Sequence, residues 1–154
     1  MTRLAKAKSR IIVAVLNAVL CGGAFADEAT LVFAGGTSHK TAFVATDVTL
    51  TGTSDFTWEA WVSPASVTLA ENRIMGQTDW ANEGRLLLEI RKGNDSGGVA
   101  KFALFYRVNG ANKRMIGTTQ LAAGTWYHVA VTRTGTALAL YVNGTQEATA
   151  SDYA

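Results

Sequence analysis

Phe56-Thr57-Trp58-Glu59-Ala60-Trp61-Val62 repeats with a period of two, and most of the 154-residue chain follows that period. Phe56, Trp58, Ala60 and Val62 fall on one side of an extended strand, and Thr57, Glu59 and Trp61 on the other. Such a segment has one apolar side to bury and one mixed side to leave outside. Pro64 closes it, because proline has no N–H to give a neighbouring strand. A helix would scatter the same apolar residues around its circumference.

The pattern continues downstream. In residues 85–91, Leu86, Leu88 and Ile90 share one face, while Arg85, Leu87, Glu89 and Arg91 share the other, a polar side suited to solvent or to a ligand. Asn94-Asp95-Ser96-Gly97-Gly98 then separates this strand from residues 101–108. Asn109-Gly110 leads into residues 113–118, and Asn143-Gly144 follows residues 137–142. Asn-Gly pairs suit tight hairpins because both residues tolerate positive φ at little steric cost. Gly124 opens one further strand, residues 126–133, in which Tyr127, Val129 and Val131 alternate with Trp126, His128 and Ala130. Only residues 67–72 leave room for a brief helix. Short, evenly spaced strands without βαβ alternation predict an all-β domain, a two-sheet antiparallel jelly-roll sandwich in which each sheet covers the apolar face of the other.

The N-terminus obeys a different rule. Arg3, Lys6, Lys8 and Arg10 precede an apolar run over residues 11–20, and Ala24-Phe25-Ala26 supplies a small-x-small cleavage site. This is the pattern of an export leader over residues 1–26. Residues 11–26 are too few to span a bilayer, which takes about 20. No membrane span is expected after cleavage, and the product is expected to be secreted, periplasmic or at the cell surface. The leader carries four of the 14 Lys and Arg residues and none of the 12 acids, so its removal turns the net charge from +2 to −2. A nucleic-acid partner then loses its electrostatic motive. Removal also takes the single cysteine, Cys21, so the domain over residues 27–154 rests on packing and hydrogen bonds.

Leu31-Val32-Phe33-Ala34-Gly35, the 56–62 segment, Gly124-Thr125-Trp126-Tyr127-His128-Val129-Ala130-Val131-Thr132 and Leu140-Tyr141-Val142-Asn143-Gly144 together resemble the laminin G-like group of concanavalin A-like lectin/glucanase jelly rolls. The Trp-Tyr-His strand and the Tyr-Val-Asn-Gly turn are the most specific pieces. The resemblance implies binding of a carbohydrate or an extracellular protein, often at calcium sites, by domains often appended to secreted enzymes or adhesins. Family domains also continue beyond that turn into closing strands, so this chain is expected to lack its C-terminal strands and to be a fragment. An open sheet edge of that kind could pair with another chain.

Catalytic patterns are sparse. Retaining glucanases of this fold place two carboxylates roughly 5 Å apart at alternate strand positions. No Glu here is followed two residues later by Asp, and only a cross-strand pairing of Glu59 with Glu89 could assemble such a pair. His39 and His128 are the only histidines, and His128 beside Trp126 reads as structural. Residues 35–40 read as a turn, since they lack the phosphate-cradling Gly-x-x-x-x-Gly-Lys-Ser/Thr spacing. No Gly-x-Ser-x-Gly elbow occurs for an activated serine. The expectation is a non-catalytic binding module. The alternatives are an accessory domain or fragment of a secreted glycoside hydrolase, and a structural or adhesive surface module.

Sugar recognition needs an aromatic face and planar polar groups. Trp80, Asn82, Arg85 and Asn94 are the expected ligand contacts, because the resemblance places Trp126 in the core and Trp58 lies on a buried face. Trp61 stands opposite Trp58 and reads either way. Calcium is possible and needs six to eight oxygens, for which Asp79, Glu83 and Asp95 are weak candidates. The 79–84 loop is not an EF-hand, since Ala81 and Ile90 stand where that motif needs oxygen ligands.

Overall fold

The computed structural model describes residues 10–14, 31–34, 55–77 and 85–153. The strands are β1 (Arg10–Ala14), β2 (Leu31–Ala34), β3 (Phe56–Pro64), β4 (Glu71–Gln77), β5 (Leu86–Arg91), β6 (Lys101–Val108), β7 (Ala111–Ile116), β8 (Tyr127–Thr134), β9 (Ala137–Val142) and β10 (Thr145–Ala150). They form a six-stranded sheet in the order β10-β9-β8-β3-β1-β2 and a four-stranded sheet in the order β4-β5-β6-β7. Every pairing is antiparallel. Among the described residues, one 3-10 turn, Asn94–Ser96, links β5 to β6.

The two Asn-Gly pairs sit at hairpin tips. Asn109 and Gly110 adopt φ of 50° and 74°, and Asn143 and Gly144 adopt 50° and 78°. Positive φ at both central residues gives the turn twist that matches two right-twisted strands. These turns set the registers of β6 against β7 and of β9 against β10.

The inward positions of both sheets meet in one core. Val62, Val129, Val131, Leu138 and Leu140 come from the six-stranded sheet, and Leu86, Leu88, Ile90, Phe102 and Leu104 from the four-stranded sheet. Phe102 and Tyr127 join the layers edge to face at 5.8 Å. Each fully buried side chain of this kind contributes about 1.5 to 3 kcal/mol. Trp58 packs on the margin of this core, as its side of the strand requires.

Three expectations are corrected. Residues 67–72 form no helix: the chain bends and then enters β4, which pairs with β5. A register shift between Arg73 and Met75 breaks the two-residue period there, so alternation could not reveal the strand. The second face of β5 is not open to solvent, since Arg85, Leu87 and Glu89 are all buried. Trp126 lies outside the core, 45% exposed, because Tyr127 takes the inward position beside it.

Arg10–Ala14, which the sequence reads as part of an export leader, is a strand between β2 and β3, with Ala14 opposite Trp61 and Ile11 opposite Pro64. Its Ile-Ile-Val run suits a strand on intrinsic grounds. The cleavage site at residues 24–26, the turn at residues 35–40 and the loop at residues 79–83 lie outside the described residues.

Candidate functional site

The outer face of the six-stranded sheet carries the aromatic surface. β3 and β8 pair so that Trp61 stands opposite His128 and Glu59 opposite Ala130. The Trp61 and His128 rings lie 5.3 Å apart, tilted by 52°. His128 Nε2 is 3.4 Å from Glu59 Oε2, close enough for an ion pair when the imidazole is protonated. The histidine backbone is fixed by Asn143: the His128 N–H donates to Asn143 Oδ1 at 2.9 Å, and the Asn143 N–H donates to the His128 carbonyl at 2.8 Å.

Trp126 extends this surface. The alternation of β8 places it on the side of His128, and a 2.7 Å bond from the Gly124 N–H to the Pro64 carbonyl keeps this stretch alongside β3. Trp61 is 44% exposed and Trp126 45% exposed. Across the sheet, Ala130 pairs with Tyr141 and Tyr141 with Gln146. The Tyr141 O–H donates to Gln146 Oε1 at 3.1 Å. Beside them lies a shallow depression of about 360 Å³ bounded by Thr132, Ala139, Tyr141, Gln146 and Thr149. Ala139 lines this depression, and Ala130, on the same face, is buried among its neighbours. Apolar rings next to imidazole, carboxylate, phenol and amide groups can stack on one side of a ligand and hydrogen-bond its edge.

The outer face of the four-stranded sheet is arranged otherwise. Arg114 donates through Nε to Glu89 Oε1 at 2.8 Å and through Nη1 to Asp95 Oδ2 at 3.0 Å. Arg91 reaches Asp95 through Nε at 3.0 Å and Glu71 through Nη1 at 2.5 Å. The guanidinium groups of Arg114 and Arg85 lie over the Phe105 ring at 5.3 and 5.5 Å. Glu89 is only 2% exposed, and burial pushes its carboxyl above the usual range in spite of the opposing Arg114. Burial also acts to raise Asp95, but hydrogen bonds and charge from Arg91 and Arg114 outweigh it and hold Asp95 low. These carboxylates are already engaged by guanidinium groups.

The expected contacts are dispersed by this architecture. Arg85 is buried at 4% exposure under the four-stranded sheet's outer layer. Asn94 is exposed in the 3-10 turn, next to Asp95 in its two-arginine network. Trp80, Asn82, Asp79 and Glu83 lie outside the described residues. Among the described residues, no group of three or more His, Cys, Asp or Glu is placed to hold a metal. No helix among them is long and apolar enough to cross a membrane. Glu59 and Glu89 cannot form a carboxylate pair, because they stand on the outer faces of different sheets with the core between them. Trp126 and His128 are functional candidates that sequence reasoning set aside, and Trp61 is one that it left open. Their strand parity was the available signal, since each follows or precedes an inward residue.

Two stacked antiparallel sheets in jelly-roll form define the class of all-β sandwich domains. A sequence profile described as the concanavalin A-like lectin/glucanases superfamily, of laminin G type, matches residues 35–154. The chain belongs to that superfamily. Among solved structures, it is similar to a candidate carbohydrate-binding protein from Bacteroides ovatus, with 30% identity and a TM-score of 0.49. The match covers 68% of this chain and 28% of that one, so this chain spans under a third of that protein's length. No curated protein matches the chain.

Proposed function

We propose that this domain is a secreted, non-catalytic module that binds carbohydrate on the outer face of its six-stranded sheet. The observation that carries the reading is the pair of half-exposed tryptophans, Trp61, whose ring lies 5.3 Å from that of His128, and Trp126, two residues before His128, with Glu59 Oε2 3.4 Å from the imidazole. A tryptophan left half in water costs hydrophobic free energy that a pyranose ring's apolar face can recover. The neighbouring imidazole and carboxylate supply acceptors and donors for its hydroxyls. Superfamily membership is compatible with this role and with hydrolysis alike, so the site carries the argument and the fold does not. Secretion is supported by the leader pattern of residues 1–26, whose cleavage would also remove β1 and leave β3, β8, β9 and β10 to carry the site; N-terminal sequencing of exported protein should start at Asp27.

The alternative location is the connection from β4 to β5, where the sequence carries Trp80 and Asn82, with Asn94 at the other end of β5. Isothermal titration of the domain against soluble polysaccharides separates the two locations. Trp61→Ala should weaken binding and Trp80→Ala should leave it unchanged. The reverse result moves the site to the loop, and heat release with no polysaccharide removes the carbohydrate reading.

A further inference from the structure

We infer that the ligand is a neutral, linear polysaccharide segment lying across the strands, from the Trp61 and Trp126 surface to the depression beside Tyr141 and Gln146. This rests on carbohydrate binding at the outer face of the six-stranded sheet and narrows it in charge and in length.

The length follows from the topology. Trp61 is on β3 and Gln146 on β10, with β8 and β9 between them, so the two ends are three strand spacings apart. At about 4.8 Å per spacing, that is roughly 14 Å, longer than a single sugar ring. Between them, Ala139 lines the depression, and Ala130 pairs with Tyr141, which pairs with Gln146. At the far end, the Tyr141 O–H occupies the Gln146 carbonyl oxygen, which leaves the exposed Gln146 amide NH2 to donate to a hydroxyl or ring oxygen. A terminal sugar in a closed pocket would need walls that this shallow, open surface does not provide.

The charge follows from side-chain parity. The outward positions of β3, β8, β9 and β10 carry no lysine or arginine. On these four strands, a uronic acid or sulfate group would meet the Glu59 carboxylate and, beyond His128, no compensating cation. Arg91 and Arg114, on the four-stranded sheet, are instead held by carboxylates.

Affinity electrophoresis and calorimetry against galactomannan, mixed-linkage β-glucan, starch and arabinan, with polygalacturonate and alginate as anionic probes, test the inference. At least one neutral polymer should bind with an affinity insensitive to added salt, and neither anionic polymer should bind. The matching monosaccharide should compete far more weakly than its oligosaccharides. Tyr141→Ala should weaken chain binding by about tenfold, and exposed Gln146→Ala, a change with little bearing on folding, should shift it in the same direction. Preference for an anionic polymer, equal competition by the monosaccharide, or unchanged chain affinity in both variants overturns the inference while leaving carbohydrate binding standing. Failure to bind any of the polymers, neutral or anionic, overturns the carbohydrate reading and this inference with it.

Discussion

The two outer faces of the sandwich solve the same problem in opposite ways. Each sheet must finish its outer side with groups that tolerate water or shield one another. The four-stranded sheet does so by neutralisation: Arg91 and Arg114 clamp Glu71, Glu89 and Asp95, and aromatic Phe105 lies beneath two guanidinium groups. The six-stranded sheet leaves Trp61 and Trp126 uncovered beside a single His–Glu pair. A saturated face contributes to holding the fold together, whereas an unsaturated one retains interaction energy for a ligand. The core between them isolates the faces, so substitutions on one should be silent in the property of the other.

The largest expected effect is on stability and lies on the saturated face. Arg114→Ala strands a carboxylate that is 2% exposed, and breaking such a pair from one side costs about 3 kcal/mol. Urea denaturation should report that loss, and adding Glu89→Gln should restore part of it by removing the stranded charge. If Arg114→Ala unfolds at the wild-type midpoint, the face is not held by its ion pairs and the contrast with the other sheet disappears.

Second in size is Trp61→Ala on the open face. Glycan binding should fall about tenfold, a loss of about 1.4 kcal/mol. Stability should change by about 1 kcal/mol or less, since the ring is 44% exposed. Titration calorimetry together with thermal unfolding checks both halves. A variant that binds normally but unfolds easily would make Trp61 a structural residue and would erase the division of labour.

The contrast was half legible in the chain. Alternation exposed the two apolar faces of β3 and β5, and the Asn-Gly pairs marked both hairpin tips, because these are local properties of a few adjacent residues. β4 and β10 escaped notice because each has a register shift, between Arg73 and Met75 and between Gln146 and Ala148, that breaks the period. The ion-pair network joins Glu71, Glu89, Arg91, Asp95 and Arg114 from three strands and a turn, and no spacing along one strand encodes it. Trp61 and Trp126 were readable as outward by parity, but whether anything covers an outward ring is a tertiary fact.

A third effect concerns pH on the saturated face. Burial raises the Glu89 carboxyl above its ordinary range, so the folded state holds that proton more tightly than the unfolded chain does. Its stabilising contribution is complete below the ordinary glutamate range and is lost as pH rises through the raised value. The wild type should therefore lose stability relative to Glu89→Gln over that interval. Parallel curves for the two proteins would show that Glu89 ionises as freely in the fold as outside it.

The smallest effect has the opposite sign and involves a carboxylate on the same network. Hydrogen bonds and charge from Arg91 and Arg114 overcome the burial of Asp95 and hold it below its ordinary range. Its contribution is present above the ordinary aspartate range and fades as pH falls through the depressed value. Asp95 is partly exposed, so Asp95→Asn should cost about 0.5 kcal/mol at neutral pH and low salt, with less lost as salt screens the pair. On acidification, wild type should lose stability relative to Asp95→Asn as pH falls through the depressed aspartate value, and should regain stability relative to Glu89→Gln as pH falls from the raised glutamate value to the ordinary range. Two carboxylates that share Arg114 and yet shift in opposite directions would separate burial from pairing within one sheet face. If both shifted the same way, a single cause would dominate there, and the face would be less evenly neutralised than its distances indicate.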